Sequence, residues 1–282
     1  MQTGDGDVIT SPRNRWIKLA RSLHRRRIRY RERAILVEGV RPVDEALSSG
    51  TSIQAVLVSG DMQDNPEIAG LLDRAGSVNA TVLTVESAIF KLASDTETPQ
   101  GVLAICAMPE DRVPSIDVGT PLLLIVDQVR DPGNLGTLLR SALGAGVTGV
   151  LITAGTVDPY SPKVLRAGAG SHFRLNLAQL DWSNPPAILD DCPVYVTDAS
   201  ADVEYDIIDW TQPAAIVIGN ETSGVSSEAI QRAHGKLGIP LANSLESLNA
   251  GVAGSVILFE AWRQRRKGLL GDRQDSQQNR CL

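Results

Sequence analysis

The residues of greatest chemical interest are Asn134 and Arg140, six positions apart in the stretch 127–142. The apolar run 121–126 reads as a buried strand, Asp131-Pro132-Gly133-Asn134 as a tight turn, and the remainder as a helix that Asn134 caps. Arg140 stands between Leu139 and the small Ser141 and Ala142 on a mostly apolar helix. An arginine in such a setting either snorkels to water or binds an anion, because burying it unpaired is costly. A second apolar run, 214–218, leads into the polar, glycine-bounded loop Gly219-Asn220-Glu221-Thr222-Ser223-Gly224. A third segment, 236–250, runs from a short strand through Ile239, Leu241, Ser247, Leu248 and Asn249 into a helix. Three strand-ending loops rich in Gly, Asn, Glu and Ser could converge on one ligand site. Taken singly their residues have plainer readings: Glu221 as a loop acid, Ser247 and Asn249 as caps of the last helix.

Such loops must be positioned by strands. The runs at 150–153, 194–197 and 215–218 are apolar without alternation, as in a parallel sheet covered on both faces. Strand-ending loops of an open sheet of that kind meet at its carboxyl edge, where ligands bind. At N-L-G-T-L-L-R-S-A, I-G-N-E-T-S-G-V-S and I-P-L-A-N-S-L-E-S-L-N-A the chain resembles the SpoU/TrmH-type RNA ribose 2′-O-methyltransferases of the SPOUT superfamily, strongly over 118–266. The resemblance implies an α/β chain whose parallel-sheet SPOUT domain carries a trefoil knot and works as a homodimer. It implies S-adenosyl-L-methionine as cofactor, held by Ile218, Gly219, Asn220, Glu221, Gly224, Ile239, Leu241, Ser247, Leu248 and Asn249. It implies Asn134, Arg140, Glu221, Ser247 and Asn249 as the catalytic set, with Arg140 on the target phosphate and Asn134 and Glu221 orienting Arg140 or the acceptor. An arginine is a poor base, so anion binding and charge stabilisation describe Arg140 better than proton abstraction. The chain departs from the family at Ala250-Gly251, where a Val-Ser pair is common.

Ahead of this domain, ten basic residues crowd positions 13–33 against the single acid Glu32, although the whole chain has a net charge of −6. Screening confines electrostatics to about 8–10 Å, so a local basic stripe can grip RNA, with Arg25, Arg26, Arg27 and Arg29 as its phosphate contacts. Alternating strands and helices from 34 to 107 form a smaller α/β domain, and Leu36-Val37-Glu38-Gly39-Val40-Arg41 resembles the start of an L30e-like substrate-binding domain. The expected plan is a basic helix plus this domain over 1–108, a linker at 109–118, the methyltransferase domain at 119–268 and a disordered tail at 269–282.

Other chemistries find little footing. Gly144-Ala145-Gly146-Val147-Thr148-Gly149 spells a dinucleotide fingerprint, but it closes a helix and precedes a strand, the reverse of the required order. Gly144 and Gly146 read instead as left-handed C-caps, which removes a nicotinamide-dependent oxidoreductase. The isolated His24, His172 and His234 and the widely spaced Cys106, Cys192 and Cys281 suggest neither a metal site nor disulfides. The absence of a long apolar run and of a signal-peptide core leads to the expectation of a cytoplasmic protein without a membrane partner. The function expected is S-adenosylmethionine-dependent ribose 2′-O-methylation, with ribosomal RNA favoured. A transfer-RNA methyltransferase and a noncatalytic RNA-binding protein of the same fold are the alternatives.

Overall fold

The computed structural model describes residues 8–114, 119–243 and 245–278, with side chains described as far as residue 266. The chain divides into two compact units, Met1–Glu110 with Asp158–Arg174, and Asp111–Val157 with Leu175–Leu282. The stretch 158–174, which reads in sequence as part of the methyltransferase domain, is thus built into the first unit. Within the expected linker, 115–118 lie outside the described residues.

The first unit begins with α1 (Arg15–Ser22) and α2 (Arg26–Glu32). The basic segment is therefore two short helices, because Leu23 ends α1 and the chain restarts at Arg25 in extended backbone. Then come β1 (Ala34–Glu38), α3 (Val40–Ser48), β2 (Ile53–Ser59), α4 (Pro66–Ser77), β3 (Thr81–Val85), α5 (Ser87–Ala93) and β4 (Val102–Ala107). The strands form a mixed sheet in the order β1-β4-β2-β3. Ile17, Ala20 and Leu23, spaced along one face of α1, are fully buried against Phe90 and Ala93 of α5 and Leu57 and Leu103 of the sheet.

The second unit holds β5 (Leu122–Val126), α6 (Pro132–Gly144) and β6 (Gly149–Thr153); α7 (Pro162–Ala167) then belongs to the first unit. The chain continues with β7 (Leu177–Leu180), β8 (Val194–Thr197), β9 (Ala214–Ile218), α8 (Ser227–Arg232), β10 (Gly235–Leu237) and α9 (Ala250–Gln278). The six strands are parallel, in the order β10-β8-β9-β5-β6-β7. Every residue of β5, β6 and β9 is buried, which explains their unbroken apolar runs.

Three local expectations need correcting. Asp131, not Asn134, caps α6: its side chain accepts the Asn134 N–H at 2.8 Å, and Pro132 takes the first helical position, where its missing N–H costs nothing. Gly146 is left-handed at φ 70°, whereas Gly144 is simply the last residue of α6. The expected disordered tail is helical to Gln278, since a glycine weakens a helix without ending it; residues 279–282 lie outside the described residues.

Glycines set the packing of α9 on α6. A Cβ on Gly254 would run into the Leu138 side chain and stand 3.2 Å from Ile218. One on Gly251 would lie 3.2 Å from Thr137 and 3.3 Å from the Asn134 backbone. The Ala250-Gly251 departure therefore falls where α9 crosses the start of α6.

Candidate active site

The loop after β9 is a rigid structure built on one asparagine. Asn220 and Gly224 exchange backbone hydrogen bonds of 2.9 Å each, and the Asn220 side-chain oxygen accepts the Thr222 and Ser223 N–H groups at 2.9 and 3.1 Å. The Asn220 side-chain amide donates to the Gln128 carbonyl at 3.0 Å, tying this loop to the one after β5. Gly219 is required here. A Cβ would stand 2.5 Å from the Gly224 and Val225 backbone, closer than real contacts come. Gly224 sits at φ +70°, where glycine carries no steric penalty.

Asp127, which sequence reasoning passed over, holds the base of the site. It is fully buried at the end of β5; one carboxylate oxygen accepts the Thr153 hydroxyl at 2.8 Å and the other the Ser226 N–H at 2.6 Å. Charge-assisted bonds of this kind pin the loops after β5, β6 and β9 to one another. The available signal was its place, a lone acid directly after five apolar residues.

Between these loops and the segment after β10 lies a cavity of about 410 Å³, within the range of small-molecule sites. Of the residues expected to hold a cofactor, Ile218, Gly219, Asn220, Glu221, Gly224, Ile239, Leu241, Ser247 and Leu248 all line it. Asn249 serves α9 instead, accepting the Val252 N–H at 3.2 Å through its side chain and the Ala253 N–H at 2.9 Å through its carbonyl. Thr197, Asp198 and Ala199, at the end of β8, complete a wall not singled out from the sequence. Asp198 accepts the Ser200 hydroxyl and N–H and the Lys236 ammonium, which hold its carboxyl down at about 2. The Asp198 carboxylate at the cavity wall is ion-paired with Lys236 at 3.0 Å.

Asn134 and Glu221 meet directly: the Asn134 amide donates to the Glu221 carboxylate. Asn134 therefore orients Glu221, not Arg140. Six residues on an α-helix span about 9 Å and leave the two side chains about 120° apart. Arg140 is exposed and makes no hydrogen bond or ion pair among the described residues. The helix is less apolar around it than the letters suggest, since Thr137 and Gly144 share its exposure.

The four arginines expected to bind RNA divide. Arg25, Arg26 and Arg27 are exposed on the first unit. Arg29 is 2% exposed, ion-paired with the buried Asp158, and donates to the Leu23 and His24 carbonyls at 2.8 and 2.9 Å. It is part of the interior and no phosphate contact. The exposed Glu32 of α2 pairs with Arg31, and the partner of Arg29 lies 129 residues away. Nearby, the buried Glu38 accepts the Thr96 hydroxyl at 2.6 Å, the Asp95 N–H at 3.2 Å and the Arg166 guanidinium at 3.2 Å.

Among the described residues no group of three or more His, Cys, Asp or Glu could hold a metal ion, and no helix is long and apolar enough to cross a membrane. Cys106 is buried, and burial pushes its thiol up to about 12.

An all-parallel sheet with a glycine-walled cavity at its carboxyl edge, an amide–carboxylate pair beside it and an exposed cation on the next helix defines an α/β enzyme that takes a small-molecule cofactor and an anionic substrate. The chain belongs to the SpoU rRNA methylase family, whose model matches residues 121–259; residues 14–104 match the MRM3-like substrate binding domain. It is 36% identical over 300 residues to the human mitochondrial rRNA methyltransferase 3, covering 86% of this chain and 70% of that protein. It is 31% identical over 256 residues to the 23S rRNA (guanosine(2553)-2′-O)-methyltransferase RlmP of Bacillus subtilis, covering 89% and 97%. The crystal structure of the SpoU methyltransferase AviRb from Streptomyces viridochromogenes in complex with AdoMet superposes with a TM-score of 0.79 at 30% identity, covering 90% of this chain and 98% of that one.

Proposed function

We propose that this chain transfers the methyl group of S-adenosylmethionine to the 2′-hydroxyl of a ribose in ribosomal RNA. The observation that carries the reading is the cavity at the carboxyl edge, bounded by the loop 219–224 and the segment 239–248, with Glu221 held beside it by Asn134. The fit to the cofactor rests on shape and lining. The missing side chain at Gly219 lets the loop 219–224 close tightly on itself, and Ile218, Ile239, Leu241 and Leu248 supply apolar surface for an adenine ring. When bound, the cofactor supplies a sulfonium-activated methyl group.

The chain's own residues then have the following work. The loop 219–224 and the segment 239–248 hold the cofactor through backbone groups, so that the acceptor approaches in line. Asn134 fixes the Glu221 carboxylate, which with Ser247 orients the ribose hydroxyl. Arg140 binds a phosphate of the target nucleotide and stabilises charge as the hydroxyl loses its proton. Arg25, Arg26 and Arg27 grip the RNA at a distance, and the mixed sheet with its Glu38-Gly39 turn supports an L30e-like reading of the first unit. A homodimer is supported by Val252 and Phe259, 47% and 48% exposed on α9. A trefoil knot is carried over from the family resemblance alone.

Titration calorimetry on the full chain tests the first half: S-adenosylmethionine binds and NAD does not. Single-turnover transfer of labelled methyl to ribosomal RNA, followed by alkaline hydrolysis, tests the second. The labelled position resists cleavage, because a 2′-O-methyl group blocks attack on the adjacent phosphate. Label in an alkali-sensitive nucleotide, or in transfer RNA alone, would overturn the assignment. A noncatalytic binder would show RNA affinity with no transfer at all.

A further inference from the structure

Tyr30 is an aromatic ring set among arginines. It is 37% exposed on α2, whose neighbours Arg25, Arg26, Arg27, Arg31 and Arg33 are all exposed. Its hydroxyl donates at 3.2 Å to Asp158, an acid only 8% exposed. That carboxylate is itself fixed by Arg29 and by the Tyr160 N–H at 3.1 Å. The polar tip of Tyr30 is thus tethered inward to a rigid, buried anion, and the ring is held at one angle at the surface. Above the ring lies the Arg26 guanidinium, with its central carbon 5.3 Å from the ring centroid. Burial, and then the Asp158 charge, push the Tyr30 hydroxyl above its ordinary pKa, so it stays a neutral donor.

We infer that Tyr30 and Arg26 form a stacking platform for one unpaired base of the RNA substrate. The inference rests on the proposed RNA substrate and adds to it a nucleobase site on the first unit. Phosphate grips alone need no aromatic ring. A flat ring beside a guanidinium plane offers what single-stranded RNA seeks, since unstacked bases bind aromatic and arginine faces whatever their identity. Paired bases are already stacked and cannot use it. The tether to Asp158 makes the platform preorganised, so little side-chain freedom is lost when a base settles on it. Sequence reasoning noted the arginines and missed the tyrosine, because the residue that fixes it lies 128 positions away.

The test uses the full chain, Tyr30→Ala and Tyr30→Phe, and two probes: a hairpin with a single-stranded loop and a fully paired duplex of equal length. Binding is measured across several salt concentrations. Tyr30→Ala is expected to weaken hairpin binding on the order of tenfold. It should leave the slope against salt unchanged, because stacking releases no counterions. Duplex binding and cofactor affinity should match wild type. Tyr30→Phe keeps the ring, while Arg29 still holds Asp158, and should bind the hairpin within about twofold. The proposal fails if Tyr30→Ala binds the hairpin like wild type, if both probes weaken equally, or if the salt slope changes. Wild-type chain that binds neither probe would instead remove the RNA reading itself.

Discussion

Arg29 on α2 and Arg140 on α6 present opposite environments for the same side chain. By sequence Arg29 belongs to a solvated basic stripe and Arg140 to an apolar helix. In the fold Arg29 is interior, paired with Asp158 and bonded to two carbonyls, whereas Arg140 is exposed with no partner among the described residues. A buried guanidinium must find its anion within the protein, so Arg29 serves architecture. An exposed guanidinium without a partner among the described residues has its binding capacity unspent, which is what the phosphate contact proposed for Arg140 requires. Local composition alone cannot separate the two, because each arginine's role depends on what the distant chain brings to it.

The sharpest way to break this comparison is Arg29→Ala. It leaves Asp158 buried without its cation, which should destabilise the first unit by about 3–5 kcal/mol in urea unfolding. Arg29→Lys should recover only part, since one ammonium cannot replace a fork that serves a carboxylate and two carbonyls at once. Wild-type stability in Arg29→Ala would return Arg29 to the RNA surface. The same substitution at Arg27, which is exposed, should leave stability within about 0.5 kcal/mol.

Arg140→Ala should show the converse pattern. Stability and cofactor affinity stay near wild type, while single-turnover methyl transfer falls on the order of 10²–10³-fold. Arg140→Lys should also be slow, because a point charge does not grip a phosphate bidentately. Near-normal transfer in Arg140→Ala would reduce this arginine to a snorkelling surface residue and end the role given to it.

What could be read from the letters follows a physical boundary. The strands β5, β6 and β9 were legible because buried parallel strands must be continuously apolar, and that pattern is local. The cavity loops were legible because Gly219 and Gly224 are demanded by backbone approach, a demand met within six residues. The cap of α6 was misassigned because Asp131 and Asn134 are both good caps, and only Pro132 at the first helical position decides between them. The pairs Arg29–Asp158 and Glu38–Arg166 were not legible, each spanning more than a hundred residues and joining elements with no periodic relation. Asp127 is visible as an acid closing an apolar strand, a place that is either exposed or a hub, and only the distant Thr153 and Ser226 decide for the hub.

The smallest effect concerns His172, a neighbour of the Arg29 cluster. It is fully buried, and desolvation lowers its imidazole to about 4, with the Pro159 carbonyl and Asp158 opposing that shift in part. Its folded pKa lies below the ordinary value of about 6.5, so the unfolded chain takes up the proton first as pH falls. Stability contributed by the neutral ring is present above about pH 6.5 and is lost progressively toward about pH 4. Between neutral pH and about pH 5 this amounts to about 2 kcal/mol. The depressed carboxylate Asp198 titrates below that range, toward about 2, and does not contribute to it. His172→Leu should flatten the dependence of urea midpoint on pH between 7 and 5, whatever it does to absolute stability. In Arg29→Ala the uncompensated Asp158 charge should favour the imidazolium, raise the folded pKa and shrink the same slope. Equal slopes in wild type, His172→Leu and Arg29→Ala would show that the buried cluster does not hold a neutral histidine beside an ion pair.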